Sequence, residues 1–92
     1  MKNIEEVRGE IREADRQMAA IFEKRMRAVR EIAVYKKEHG LQIENKEQER
    51  KVLEANASFI EDEMIRQYYL TIMKDVIEVS KMYQERLIPF LQ

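Results

Sequence analysis

Apolar residues recur at alternating spacings of three and four from the start of the chain, where Ile4, Val7, Ile11, Ala14, Met18 and Ile21 form one stripe. That period is the signature of an amphipathic helix. The next seam position is Arg25; Ala28 or Val29 and Ile32 resume the stripe, and Lys36 follows. The pattern predicts one long helix from about Asn3, which suits an N-cap, to about His39, with Gly40 as the C′ residue. Lys36, Lys37 and His39 match the negative end of its dipole. Gly9 lies inside this helix at a cost of about 1 kcal/mol relative to alanine, and close helix packing is the reading it supports.

A short connection, Leu41 to Glu44, leads to a second helix from about Asn45 to Ala55. Asn45 caps it, and Gln48 three residues on completes a capping-box pattern. Asn56 to Ser58 reads as a break, and a third helix spans about Glu61 to Ile88, closed by Pro89. This helix carries two stripes. One is Ile65, Tyr69, Ile72, Val76 and Val79; the other holds Met73 and Ile77, breaks into Ser80 and Gln84, and resumes at Leu87 and Leu91. Two glycines and one proline in 92 residues leave little room for sheet turns. The predicted fold class is all-α: three helices, one of them very long, in a single domain spanning residues 1–92.

Helix length bears on the oligomeric state. A helix of about 36 residues is roughly 54 Å long, whereas a compact chain of this size has a radius of gyration of only about 12 Å. The first helix therefore overshoots its own domain and leaves the Ile4–Ile21 stripe uncovered. An intertwined helical-bundle homodimer, with the long helices sharing one two-fold axis, answers this.

Composition narrows the chemistry. Seventeen Lys and Arg are balanced by eighteen Asp and Glu. That mixed, near-neutral pattern argues against nucleic acid, which calls for a basic patch or stripe. Cysteine is absent and His39 is the one histidine, so Cys-based metal sites, His-cluster metal sites and most Ser-His or Cys-His catalysis are excluded. Met1 to Arg12 carries charges throughout without an apolar signal core, and no stretch approaches the roughly 20 apolar residues that span a bilayer. A cytoplasmic protein with no membrane association is expected.

The candidate chemistry lies where polar residues occupy packing positions. Arg25 and Lys36 are eleven residues apart, which leaves only about 20° between their directions. A cation on a core-facing stripe needs an anionic partner or costs several kcal/mol in desolvation. Ser80 and Gln84, four apart, stack on one face of the third helix, and Glu49 lies on the side of Val52 and Leu53 with Asn45 one turn earlier. Arg8 is seventeen residues before Arg25, rotated about 100° away from it, so it serves a partner chain's site more readily than its own. Taken singly, each residue has a plainer reading. Arg25 snorkels to an edge, Lys36 answers the helix dipole, Ser80 and Gln84 fix helix register, and Glu49 is a solvated charge. Glu5, Glu6, Lys46, Glu47 and Lys51 read as solvated faces, and Tyr68, Tyr69 and Tyr83 as core or rim. Convergence of the first group on one core is what points to an anion-holding site.

Those residues fall within longer runs: V-R-G-E-I-R-E-A-D-R-Q-M, F-E-K-R-M, V-Y-K-K-E-H-G-L, then E-R-K-V-L and S-K-M-Y-Q. Their order and spacing, from about Val7 to Ile88, resemble the all-helical (AroQ-type) chorismate mutases. The resemblance implies an isomerase that converts chorismate to prephenate, the committed step toward phenylalanine and tyrosine, as an intertwined homodimer with two sites and no cofactor. Carried over by position, Arg25, with Ser80 nearby, grips one carboxylate, and Arg8 of the partner chain grips the other. Lys36 and Gln84 donate to the ether oxygen, Glu49 accepts from the ring hydroxyl, and Arg25, Lys36 and Gln84 form the catalytic set.

Chorismate is a dianion, and its Claisen rearrangement needs neither nucleophile nor proton shuttle, which agrees with the composition. Family members are often fused to or bound by other aromatic-pathway enzymes, and this chain reads as a complete catalytic dimer unit. Two alternatives stay open: an isochorismate–pyruvate lyase of the same fold, and a non-catalytic helical dimerisation or regulatory domain. The sequence departs from the family at Asn45, where aspartate is usual, and at Gln48, where arginine is usual. Asn45 retains its capping role, whereas Gln48 removes a cation from the pocket wall. Weaker substrate binding than in a typical member follows, so Gln48→Arg is expected to lower KM in steady-state kinetics; an unchanged KM would refute this account of Gln48.

Overall fold

The computed structural model describes residues 2–91. Helix α1 (Ile4–Glu38) begins where the Asn3 side chain accepts from the Glu6 N–H at 2.9 Å, with Glu5 and Glu6 at the positive end of the dipole. It ends in a Schellman turn. Gly40 takes φ 62°, its N–H donates to the Lys37 carbonyl at 3.3 Å, and the Leu41 N–H donates to the Lys36 carbonyl at 2.8 Å. The left-handed conformation at position 40 is one that a Cβ would strain.

Helix α2 (Lys46–Ala57) is capped by Asn45, whose side chain accepts from the Gln48 N–H at 3.0 Å. It runs past Ala55 into the expected break. Asn56 stays helical because its amide donates to the Val52 carbonyl at 2.8 Å while its oxygen accepts from the Tyr69 hydroxyl at 2.7 Å. Helix α3 (Glu63–Leu87) starts at the Asp62 cap, where the side chain accepts from the Ile65 N–H at 3.0 Å. Glu61 lies outside this helix, not at its start. The Arg66 guanidinium draws the Ile60 carbonyl to 2.7 Å and the Glu61 carbonyl to 3.1 Å, which fixes a non-helical turn there. At the other end Ile88 belongs to a 3₁₀ turn, Ile88–Phe90, that contains Pro89. Among the described residues there is no strand, and no helix is long and apolar enough to cross a membrane.

Helices α1 and α3 run in the same sense where they meet, with Arg25 opposite Ser80 and Lys37 opposite Ile88. Helix α2 runs antiparallel to α3, placing Glu49 beside Lys81 and Asn56 beside Tyr69. The principal extents are 56 × 26 × 15 Å. The radius of gyration is 16.5 Å, against about 12 Å for a compact chain of this length.

That shape leaves little interior. Among the described residues Ala33, Met73, Ile77, Ser80 and Gln84 are buried, and two of them are polar. The buried face of α3 is thus the stripe interrupted by Ser80 and Gln84. On the other stripe, Ile65, Ile72 and Val79 are exposed. Ile4, Val7, Ile11, Met18 and Ile21 are exposed as well, so the N-terminal half of α1 presents its apolar stripe uncovered. Ala33, at 0% exposure, sits in the half of α1 that packs on α3, where no room is left for a larger side chain. Ala33→Leu is expected to lose about 1–3 kcal/mol through overpacking, measured by urea denaturation at fixed protein concentration.

Candidate active site

The C-terminal half of α1, the first turn of α2 and the last turns of α3 enclose a cavity of about 400 Å³, within the range of small-molecule sites. Helix α1 brings Arg25 and Lys36 to it, α2 brings Gln48 and Glu49 with the Asn45 cap, and α3 brings Ser80, Lys81 and Gln84. Val29, Ile32, Val52 and Ile77 form apolar wall between them. Every site residue expected from the sequence lines this cavity except Arg8. Arg8 lies roughly 25 Å along α1 from Arg25 at 1.5 Å per residue. It is exposed and paired with Glu5 at 2.7 Å.

Arg25 is half-buried and donates from Nη1 to Ser80 Oγ at 2.8 Å. The Ser80 hydroxyl donates to the Val76 carbonyl at 2.7 Å, which turns its lone pairs toward the guanidinium. Lys36 donates from Nζ to the Ile43 carbonyl at 2.5 Å. Burial pushes the Lys36 pKa below the ordinary lysine value, and the Glu49 charge partly opposes that shift. Among the described residues neither Arg25 nor Lys36 has a carboxylate within ion-pair distance, and the ion pairs formed by residues lining the cavity all belong to Lys81.

Two acceptors in the cavity are also incomplete. Glu49 Oε1 accepts from Lys81 at 3.2 Å, while Oε2 is buried without a partner. Gln84 is 5% exposed and its Oε1 is likewise buried without a partner. The O and N of an amide are assigned from their surroundings, so this buried end of Gln84 can present either a donor or an acceptor to a ligand.

Lys81 is a charged member of the lining that the sequence pattern does not point to. Beside Glu49 it binds Glu44 at 3.4 Å and Glu78 at 2.8 Å. Its pKa is raised, chiefly by the Glu78 hydrogen bond, with Glu49 and Glu44 adding to the effect against burial. The local signal in the sequence is a Glu78–Lys81 pair at i, i+3, which marks an ordinary solvated helix face. Only the packing of α2 on α3 reveals Glu49 opposite.

The cavity therefore combines two cations without ion pairs, the hydroxyl-bearing Ser80 and Tyr35, three side-chain amides and one carboxylate with a free oxygen. This set suits a small anionic molecule that also carries a hydrogen-bond donor. No group of three or more His, Cys, Asp or Glu is placed to hold a metal among the described residues. Fold and cavity together define an all-helical protein with a small-molecule-sized cavity that holds two cations free of ion pairs.

The chain matches the family described as Chorismate mutase type II over residues 7–85, and it belongs to that family. It is accordingly an isomerase of the chorismate mutase type. No curated protein and no solved structure matches it.

A charged Lys36 is needed if it is to donate to an anionic or developing-anionic oxygen. Its lowered pKa means the proton is lost as pH rises through a value below about 10.4, the ordinary lysine figure. Turnover of chorismate is thus expected to fall on the alkaline side. A bound dianion raises the Lys36 pKa, so the alkaline limb of kcat lies at higher pH than that of kcat/KM. Lys36→Arg should remove this limb from the profile, and a limb that persists unchanged in that variant would refute the assignment.

Proposed function

We propose that the chain converts chorismate to prephenate by a pericyclic Claisen rearrangement, in the pathway to phenylalanine and tyrosine, and that it does so as an intertwined homodimer. The observation that carries this reading is convergence: two part-buried cations without ion pairs, Arg25 and Lys36, and the two buried oxygens without a hydrogen-bond partner, Glu49 Oε2 and Gln84 Oε1, all line one cavity. Chorismate offers a counterpart to each.

In this reading Arg25, steadied by Ser80, holds one carboxylate. Lys36 and the Gln84 amide donate to the ether oxygen, where negative charge grows as the C–O bond breaks. Glu49 Oε2 accepts from the ring hydroxyl. Bond breaking and bond making proceed together within the substrate, so no group on the protein gains or loses a proton. The protein contributes by holding a flexible molecule in its reactive chair and by aiming fixed donors at the developing charge. Loss of one such donor typically raises the barrier by about 3–4 kcal/mol.

Arg8 enters through the dimer. A single chain leaves the Ile4–Ile21 stripe exposed and buries few apolar side chains, which a second copy laid along α1 would remedy. That copy brings its own Arg8 toward the cavity, supplying a cation for the second carboxylate that Arg8 cannot supply in its own chain.

The first test is to incubate the purified chain with chorismate and follow its ultraviolet absorbance, then convert any prephenate to phenylpyruvate with acid. Loss of chorismate with phenylpyruvate appearing is the expected result. No turnover of chorismate, with isochorismate cleaved instead, would replace this reading with the lyase. Sharing of sites is tested by mixing. Arg8→Ala and Arg25→Ala should each be inactive alone with the helical fold retained. Co-refolded in equal amounts they should recover about a quarter of wild-type activity, because half the dimers are mixed and one site of each is intact. No recovery in the mixture would overturn the role of Arg8 in the partner's site.

A further inference from the structure

The Glu49 carboxylate stands between two ammonium groups that the cavity needs for different purposes. Lys36 feels the Glu49 charge, yet its Nζ donates to the Ile43 carbonyl and forms no ion pair among the described residues. Lys81, from the neighbouring helix, takes Glu49 Oε1 at 3.2 Å and leaves Oε2 buried without a partner. If Glu49 paired with Lys36, the acceptor and the donor of the site would satisfy each other and neither would be free for a ligand.

We propose that Lys81 is a positioning residue: it holds the Glu49 carboxylate by one oxygen, keeps it off Lys36, and so keeps Oε2 open to a ligand hydroxyl and Lys36 open to a ligand oxygen. Glu78 and Glu44 have a part in this. Both bind Lys81 from more exposed positions, at 2.8 and 3.4 Å, and anchor its ammonium at the mouth of the cavity. The Lys81 side chain is only 14% exposed despite its charge, which fits a group ordered by three carboxylates better than a solvated surface lysine. Lys81 does not touch the reacting atoms in this arrangement. Its effect passes through Glu49, and that dependence makes it testable.

The inference rests on the reading of the cavity as a chorismate site, and the test is a double-mutant cycle on chorismate turnover. Lys81→Met keeps the apolar stem and removes the charge; it is expected to lower kcat/KM by about tenfold or more, the scale of coupling between contacting charged residues. Glu49→Gln lowers it by its own factor. If Lys81 acts through Glu49, the double variant loses no more than Glu49→Gln alone, and Lys81→Arg retains most of the wild-type value. Losses that multiply in the double variant, or an undiminished Lys81→Met, would overturn the positioning role while leaving the mutase reading intact. A wild-type chain that does not turn over chorismate would overturn the mutase reading and this inference with it. Circular dichroism melts of each variant separate loss of fold from loss of function, and Lys81→Gln takes the place of Lys81→Met in the cycle should the latter fail to fold.

Discussion

The hydrogen bond from Arg25 to Ser80 crosses the contact between α1 and α3, and much of the molecule is arranged around it. It joins the middle of the longest helix to the last turns of another, at a point where packing alone would favour two apolar side chains. A guanidinium there has lost part of its hydration and gained only a neutral acceptor in return. The fold tolerates this because Ser80 is itself satisfied by Val76 and because the cavity leaves the far side of the guanidinium open. One consequence is a poor interior: the same stretch of α3 that should supply core supplies Ser80 and Gln84. Stability and ligand binding therefore compete for the same positions.

That competition gives the length of α1 a physical role. Its C-terminal half lines the cavity, and its N-terminal half carries apolar surface that no described residue covers. In the proposed dimer the missing core is supplied between chains, by surface that takes no part in holding the anion. The cavity can then stay polar without the molecule becoming too weakly packed to fold. Separation of the two tasks along one helix also explains why Arg8 and Arg25 occupy different turns and different faces of α1.

Much of this was legible in the sequence, for local reasons. Caps at Asn3 and Asn45 and the stop at Gly40 depend on a few adjacent residues, and all three stand where those residues predict them. Arg25, Lys36, Ser80 and Gln84 were visible because each interrupts an apolar period, and such interruptions can be counted without a structure. The errors arose where tertiary contact overrides local preference. Asn56 reads as a helix breaker until Tyr69 is seen to satisfy its side chain, and Glu61 reads as a helix start until Arg66 is seen to hold its carbonyl. Lys81 was illegible for a similar reason. It interrupts no period, and its nearest sequence partner, Glu78, gives it an ordinary surface role. Its distinguishing neighbour is Glu49, thirty-two residues away and on another helix.

The arrangement also bears on how a protein with few options for acid–base chemistry can still catalyse. Glu49 and Lys36 would ordinarily neutralise each other at close range, and a site that relaxed in that way would hold neither a hydroxyl nor an ether oxygen well. Electrostatic catalysis depends on donors that are fixed before the charge develops. Such donors must be kept from satisfying one another in the free protein, and this keeps the free protein less stable than it would otherwise be. Ligand binding then returns part of that stability, since a molecule that binds only the folded state shifts the folding equilibrium toward it. In the proposed reading, the least satisfied groups of the cavity are thus the ones from which the chemistry of its ligand is read: a carboxylate for Arg25, a hydroxyl donor for Glu49, and an acceptor oxygen for Lys36 and Gln84.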